Sequence, residues 1–374
     1  MDPHLLLALV EGFGPRPDPI LLAPDLDVAA TLATPPAPLG RAAQRRLRSP
    51  RLRPKAAEVL AAAARHGLTL LTPADPRFPP RLREAPLRPL VLFAKGNLEL
   101  LASPGWDLTI VGSRTPTPYG EAAATDFAEE LARAGCVLWS GLALGVDAIA
   151  HRAALGLRRP TVAVLAGGLD AIYPRQHESL AAQIVAEGGT LLSELPPGAA
   201  PAPGHFPRRN RILALAGLGV LVVEASPVSG SLITARLAAE CGTPVFALPG
   251  PYTSARSRGC HQLLGEGARP AIDPEEVLRE LLVGVPIPAG ERLRIEMSAD
   301  AVALHRALRE GPRPEDLLQR ELRLERARYL AASLALVEAG LAMPVAGGML
   351  ALRRSGAAVM PAPVTRSGGS GSPA

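Results

Sequence analysis

Lysine is nearly missing from this chain of 374 residues: Lys55 and Lys95 are the only two among 40 basic residues. A P-loop nucleotide site needs a lysine within G-x-x-x-x-G-K-[ST], and no such stretch occurs, which excludes that class. Aromatics make up 3% of the residues, too few for a sheet that stacks bases in the manner of an RRM. The three cysteines, Cys136, Cys241 and Cys260, are odd in number and lack metal-ligand spacing, so they fit reduced thiols. No apolar run approaches the ~18 residues of a membrane span. The N-terminus has no basic stretch leading into a signal-type apolar core. The expectation is a cytoplasmic protein that does not engage a membrane and holds no metal or cofactor.

What is present is a large apolar fraction, 48%, enough for a sizeable core and two or three domains at this length. The net charge of +5 suits a polyanionic partner. Up to about His66, short apolar runs broken by "GPRPDP" and "ATPPAP" lead into the Arg-rich stretch Arg41–Arg53 and an Ala-rich helix, Pro54–Arg65. This reads as a small helical domain over residues 1–67. From Leu68 to about Val283, β-rich runs alternate with amphipathic helices. The runs are Leu108–Val111, Val137–Ser140, Thr161–Leu165, Thr190–Ser193, Val220–Glu224 and Pro244–Ala247. That alternation predicts an α/β fold, an extended Rossmann-like, doubly wound parallel sheet, over residues 68–283. A linker over 284–297 follows. Helices at Ala299–Arg309, Pro314–Glu321 and Glu325–Ala339, then a hairpin turning at Gly347–Gly348, predict a winged-helix domain over 298–354. The Gly/Ser-rich end, 355–374, has the composition of a disordered tail.

In such a sheet, ligands bind beyond the carboxyl ends of the strands. Small residues gather there in this sequence. The first strand leads to Gly112, Ser113 and Arg114, the second to Ser140 and Gly141, the third to Gly167 and Gly168. The fourth leads towards "GHFPRRNRILALAG", with Phe206, Arg208, Arg209, Asn210 and Arg211. The fifth leads to Ser229, Gly230, Ser231 and Thr234 at a helix start. Glycine lets backbone approach a ligand closely, and helix N-termini present free N–H groups to anions. Together these loops describe an anion-binding groove. Phe206 fits either a base-stacking or a core position, and Arg211 fits either the groove or a pairing with Glu194 or Glu224.

Enzyme signatures fail. The first strand–helix turn lacks G-x-G-x-x-G, against a nicotinamide or flavin cofactor. Asp147 and His151, four residues apart on one helix, have no G-x-S-x-G elbow beside them, and read as a helix cap and a packing residue.

The stretches "TIVGSRTPTPYG", "WSGLALGVDAIAHRAAL", "HFPRRNRILALAG" and "VLVVEASPVSGSLITARLAAECGTPVFALPG" follow one another in an order and spacing that resemble the DNA-processing protein A (DprA, or Smf) family over about residues 69–272. The resemblance implies a non-enzymatic protein that binds single-stranded DNA, commonly as a homodimer. It implies help in loading the recombinase RecA onto strands coated by single-strand-binding protein during natural transformation. Carried over to matching positions, Arg114 and the Arg209–Arg211 segment contact phosphates. Two rivals remain. One is a Rossmann-like nucleotide phosphoribohydrolase, whose P-G-G-x-G-T-x-x-E signature the loop "SPVSGSLITARLAAE" lacks. The other is a duplex-DNA regulator acting through the winged helix, whose recognition helix carries only Arg326 and Arg328 at its start.

Overall fold

Runs such as Thr161–Leu165 and Gly219–Val223 are apolar on both faces, the pattern of central parallel strands covered on each side. The computed structural model, which describes residues 2–14, 18–33, 40–102, 106–281, 298–308, 311–338, 342–345 and 349–352, places them there. The chain divides into two units, Met1–Leu281 and Leu282–Ala374.

The first unit opens with four helices: α1 (Pro3–Glu11), α2 (Val28–Ala33), α3 (Arg41–Leu47) and α4 (Leu52–Arg65). Asp2 caps α1, its carboxylate accepting from the His4 and Leu5 N–H groups. Then come β1 (Thr69–Leu71), α5 (Pro80–Glu84), β2 (Leu92–Gly96), α6 (Glu99–Ala102), β3 (Asp107–Gly112), α7 (Pro118–Arg133), β4 (Val137–Ser140) and α8 (Val146–Gly156). They are followed by β5 (Thr161–Leu165), α9 (Glu178–Ala186), β6 (Thr190–Ser193), α10 (His205–Ala216), β7 (Gly219–Val223), α11 (Gly230–Glu240), β8 (Val245–Ala247), α12 (Arg258–Gly265), β9 (Arg269–Pro270) and α13 (Pro274–Leu281).

The sheet order is β1-β2-β6-β5-β4-β3-β7-β8-β9. From β6 to β9 all neighbours are parallel, and the order reverses between β3 and β7, the switch point of a Rossmann-like sheet. One edge departs from the all-parallel expectation: β2 runs antiparallel to β6, and β1 antiparallel to β2. Both strands lie upstream of the first run the sequence reading identified. Alternate residues separate the layers. Leu108 and Ile110 of β3 pack with Phe127 and Leu131 of α7 and Ala150 of α8, whereas Val111 packs with Ile212 of α10 and Leu232 of α11.

Residues 1–67, expected as a domain of their own, share a core with this sheet. Leu5, Leu9 and Val10 of α1 cluster with Phe93 of β2, Leu165 of β5, Leu155 of α8 and Ile184 of α9. Arg46 of α3 donates to the Val10 and Glu11 carbonyls at 2.7 Å each, satisfying the last turn of α1.

The second unit holds α14 (Ala299–Ala307), β10 (Arg313–Pro314), α15 (Glu315–Glu321), α16 (Arg326–Glu338), β11 (Ala342–Val345) and β12 (Met349–Leu352), with an antiparallel sheet of order β10-β12-β11. Leu304, Leu318, Tyr329, Leu336 and Leu350 form its core. The expected turn at Gly347–Gly348, the linker 284–297, the tail 355–374 and the expected helix ends at Arg309 and Ala339 lie outside the described residues. No helix among the described residues is long and apolar enough to cross a membrane.

One group at the amino end of the sheet makes stability depend on pH. The Asp107 carboxylate, partly exposed at its rim, accepts from Trp139 Nε1 at 3.0 Å, and burial pushes its pKa up to about 7. A raised carboxyl pKa means folding favours the protonated form. That stabilisation is complete below the unfolded-state value of ~4 and is lost as pH rises through about 7. Asp107→Asn keeps the acceptor and removes the charge. Its melting temperature should match the parent's near pH 4 and exceed it at pH 8 by the equivalent of ~1–2 kcal/mol, after allowance for the exposed rim. A gap that does not widen between those two pH values would count against the buried proton.

Candidate functional site

The site is built on α10. Pro207 is tolerated in its first turn, where the missing N–H has no helical partner, and Ile212–Ala216 bury its second half. Every residue from Arg208 to Ala216 is buried, so three guanidiniums enter the interior. Charges there need partners. Arg208 Nε and Nη2 donate to the two Glu194 carboxylate oxygens at 2.6 and 2.7 Å, and Nη1 donates to Glu11 Oε1 and the Gly14 carbonyl, both at 2.9 Å. Arg211 Nη2 also bonds Glu194 Oε1. Burial alone would raise the Glu194 carboxyl, but Arg211 and Arg208 hold it below its ordinary value.

Arg209 is satisfied differently. Its Nη1 donates to the carbonyls of Gly141 and Val164, each at 2.6 Å, and its Nε donates to Asn210 Oδ1 at 3.1 Å. Asn210 Nδ2 in turn donates to the Gly230 carbonyl at 3.2 Å. The Arg-Asn pair thus joins the ends of β4 and β5 to the start of α11. Burial pushes the Arg209 pKa down to about 10, with Asp147 opposing the shift, and the group stays cationic at neutral pH.

Above this buried layer lies a cleft at the carboxyl edge of the sheet, with about 500 Å³ of empty space partly open to solvent. Arg114, Leu144, Gly167, Tyr173 and Phe206 form its walls, and Gly141 and Arg209 contribute to its floor. Arg114 is exposed and lies over the Phe206 ring, 5.4 Å from the centroid. Tyr173 meets the same ring edge-on at 6.1 Å. The lining residues include two arginines and two aromatics but no carboxylate.

The remaining expected site residues sort by contact. Gly112 leaves no room for a Cβ, which would overlap the Val223 carbonyl. Ser113 is buried, and its Oγ accepts from the Thr115 N–H and from Arg256 Nη1. At Gly141 a methyl would overlap the Arg209 guanidinium, and at Gly168 it would overlap the Asp170 carboxylate. Ser229 caps α11 through Ser231, and at Gly230 a Cβ would meet nothing within 4 Å. Four residues turn inward, towards partners within the protein. Arg208 and Arg211 pair with buried carboxylates, Ser140 Oγ donates to the Ile110 carbonyl at 2.6 Å, and Thr234 lies on the buried face of α11. Of the two carboxylates weighed for Arg211, Glu194 takes it. Glu224 instead accepts from the Thr117 N–H at 2.8 Å and the Thr117 hydroxyl at 2.5 Å, at the start of α7.

Asp147 accepts from the Gly141 and Ala143 N–H groups at 3.1 and 3.3 Å, and burial raises its pKa. His151 packs against the Thr161 hydroxyl at 2.8 Å, and burial pushes its pKa down to about 3. Among the described residues, no group of three or more His, Cys, Asp or Glu side chains is arranged to hold a metal. Sequence reasoning passed over Tyr173, Glu11 and Arg256. Tyr173 had a signal, as an aromatic in a chain poor in them within a carboxyl-end loop. Glu11 had none, because 197 residues separate it from Arg208.

Residues 69–282 match the family described as DNA recombination-mediator protein A. Protein Smf of Escherichia coli K12 is 47% identical over 216 residues, covering 58% of this chain and 57% of that protein, so the match spans little more than half of the relative. The X-ray structure of DNA processing protein A from Streptococcus pneumoniae covers 75% of this chain and 98% of its own, at 32% identity and a TM-score of 0.61. The DNA processing protein A of Helicobacter pylori, solved for its unique single-stranded DNA binding mode, covers 58% and 96%, at 33% identity and a TM-score of 0.50.

The two arginines of the cleft should part in a melting experiment. Arg209→Ala removes the donor that satisfies two buried carbonyls and should cost ~2–4 kcal/mol. Glu194→Ala strands two guanidiniums and should cost ~3–5 kcal/mol. Arg114→Ala should stay within ~0.5 kcal/mol of the parent, as expected of an exposed side chain. Thermal or urea denaturation of the three variants checks this, and equal stability of Arg209→Ala and the parent would contradict the buried bonds.

Proposed function

The chain belongs to the DNA recombination-mediator protein A family, and on that premise we propose that it binds single-stranded DNA along the carboxyl edge of its sheet. The observation that carries this reading is the carboxylate-free cleft in which Arg114 lies over Phe206 and above Arg209. Arg114 supplies a mobile cation to a phosphate. Phe206 and Tyr173 offer ring faces for a base, a contact worth ~1–3 kcal/mol and tolerant of sequence. Arg209 adds fixed positive charge from below. Binding of this kind needs no metal or nucleotide, and the chain acts as a DNA-processing protein rather than an enzyme.

The finer part of the proposal is that it helps load RecA onto strands held by single-strand-binding protein, acting as a cytoplasmic homodimer in recombination and natural transformation. The family description as a recombination mediator supports this role. The second unit has the helix and strand order of a winged helix. Its Arg328 is engaged by Asp300 at 2.7–2.8 Å, while Leu330 and Leu334 are exposed on α16. That face suits protein docking better than reading of a duplex groove.

If about four phosphates are neutralised, log affinity should fall against log salt with a slope of about −3, and Arg114→Ala should reduce its magnitude by about 0.7. Fluorescence anisotropy at three salt concentrations measures both, and a flat dependence would remove the proposal. Residues 1–281, a compact unit, should bind single strands with nearly the full-length affinity. Loss of binding by that fragment would move the site to the second unit.

A further inference from the structure

Three loops leave the carboxyl ends of β3, β7 and β8 beside the cleft: residues 113–117, 224–229 and 248–257. They contain Arg114 and Arg256, and their one carboxylate, Glu224, is buried and turned onto Thr117, while Arg258 follows at the start of α12. None of these three arginines forms an ion pair with a carboxylate among the described residues. Arg256 is held in place by hydroxyls, its Nη1 donating to Ser113 Oγ at 3.1 Å and Thr115 Oγ1 at 2.5 Å. It therefore rests against the loop that presents Arg114 to the cleft, bonded to hydroxyls rather than to a carboxylate.

The β8–α12 loop also displays an aromatic ring in solvent. Tyr252 is 87% exposed, and Val228 on the neighbouring loop is 92% exposed. The loop that carries Tyr252 is fastened at several points. Tyr119 Oη donates to the Pro249 carbonyl at 2.6 Å, His261 Nε2 lies 3.0 Å from the Gly250 carbonyl, and the Ser254 N–H bonds the Pro251 carbonyl at 3.0 Å. A ring displayed on a fastened loop loses little freedom when a flat partner covers it. Between these loops, Gly230 faces open space in which a backbone can approach. Exposed aromatic surface next to unpaired guanidiniums is the chemistry that holds single-stranded nucleic acid.

We propose that these loops form a second contact surface for single-stranded DNA, continuous with the cleft, where Tyr252 stacks on a base and Arg256 holds a phosphate. The inference rests on the single-strand reading of the cleft and adds a direction to it. A strand leaving Arg114 crosses the β3–α7 loop and runs over β7 and β8, away from the β6 edge. The surface then adds to affinity only when the strand is long enough to reach it.

The test compares two oligothymidylates by fluorescence anisotropy on the full-length protein, one of ~4 nucleotides and one of ~15. The parent should bind the longer one more tightly. Tyr252→Ala should weaken the longer by at least ~5-fold and leave the shorter unchanged, and Tyr252→Phe, which keeps the ring, should bind both like the parent. Arg256→Gln should show the same length-selective loss with a reduced salt slope for the longer strand only. If Tyr252→Ala binds both lengths like the parent, or weakens both equally, the second surface is overturned and the cleft stands. If the parent binds neither length, the single-strand reading falls and this surface with it.

Discussion

Everything at the carboxyl edge depends on how α10 keeps guanidinium groups inside the protein. A helix that carries Arg208, Arg209 and Arg211 on its buried portion must give each charge a partner in the interior. Two partner types do this. Carboxylates from β6 and α1 take Arg208 and Arg211, and backbone carbonyls from β4 and β5 take Arg209. Small residues follow from the same demand, since a side chain at Gly141 would occupy the place of the Arg209 guanidinium. The glycine that a sequence reader assigns to ligand approach is here also a seat for an arginine.

The same network explains why the first helices cannot be treated as an appendage. Two arginines against Glu194 alone would leave an excess positive charge in the interior, and Glu11 at the end of α1 balances it. Arg46 fixes that end of α1 through the Val10 and Glu11 carbonyls, and Phe13 lies 5.6 Å from the Arg208 guanidinium. Buried polar networks of this kind are cooperative: each member orients the next, and removal of one leaves the others unpaired. The N-terminal segment therefore supports the geometry of α10 from a distance of nearly two hundred residues of sequence.

The central sheet was legible because its strands are buried on both faces and end in Gly, Ser or Pro. All six identified runs coincide with strands to within a residue or two, from Asp107–Gly112 to Val245–Ala247. The antiparallel edge was not, because Thr69–Leu71 is three residues long and gives no periodicity. Side-chain direction was the harder matter. In "FPRRNR" the last four residues are all basic or amide, and composition does not tell which side of the helix meets protein and which meets solvent. The carboxylates that decide it lie at positions 11 and 194, and Glu224, which looked equivalent, is claimed by Thr117.

Burial also explains why arginine rather than lysine stands at the cleft floor. Burial lowers Arg209 to about 10, which leaves it cationic at neutral pH. A lysine lowered by the same amount from its ordinary value of ~10.4 would release its proton near pH 8 and lose its charge within the physiological range. It would also present a single nitrogen, where the guanidinium donates to two carbonyls through Nη1 and to Asn210 through Nε. A positive charge that is permanent and fixed by backbone carbonyls attracts an anion without having to be ordered on binding. Exposed Arg114 has the complementary property, free to follow a phosphate while its guanidinium lies over the Phe206 ring. The cleft thus divides electrostatic attraction and adaptable contact between two arginines, one on the loop after β3 and one on α10.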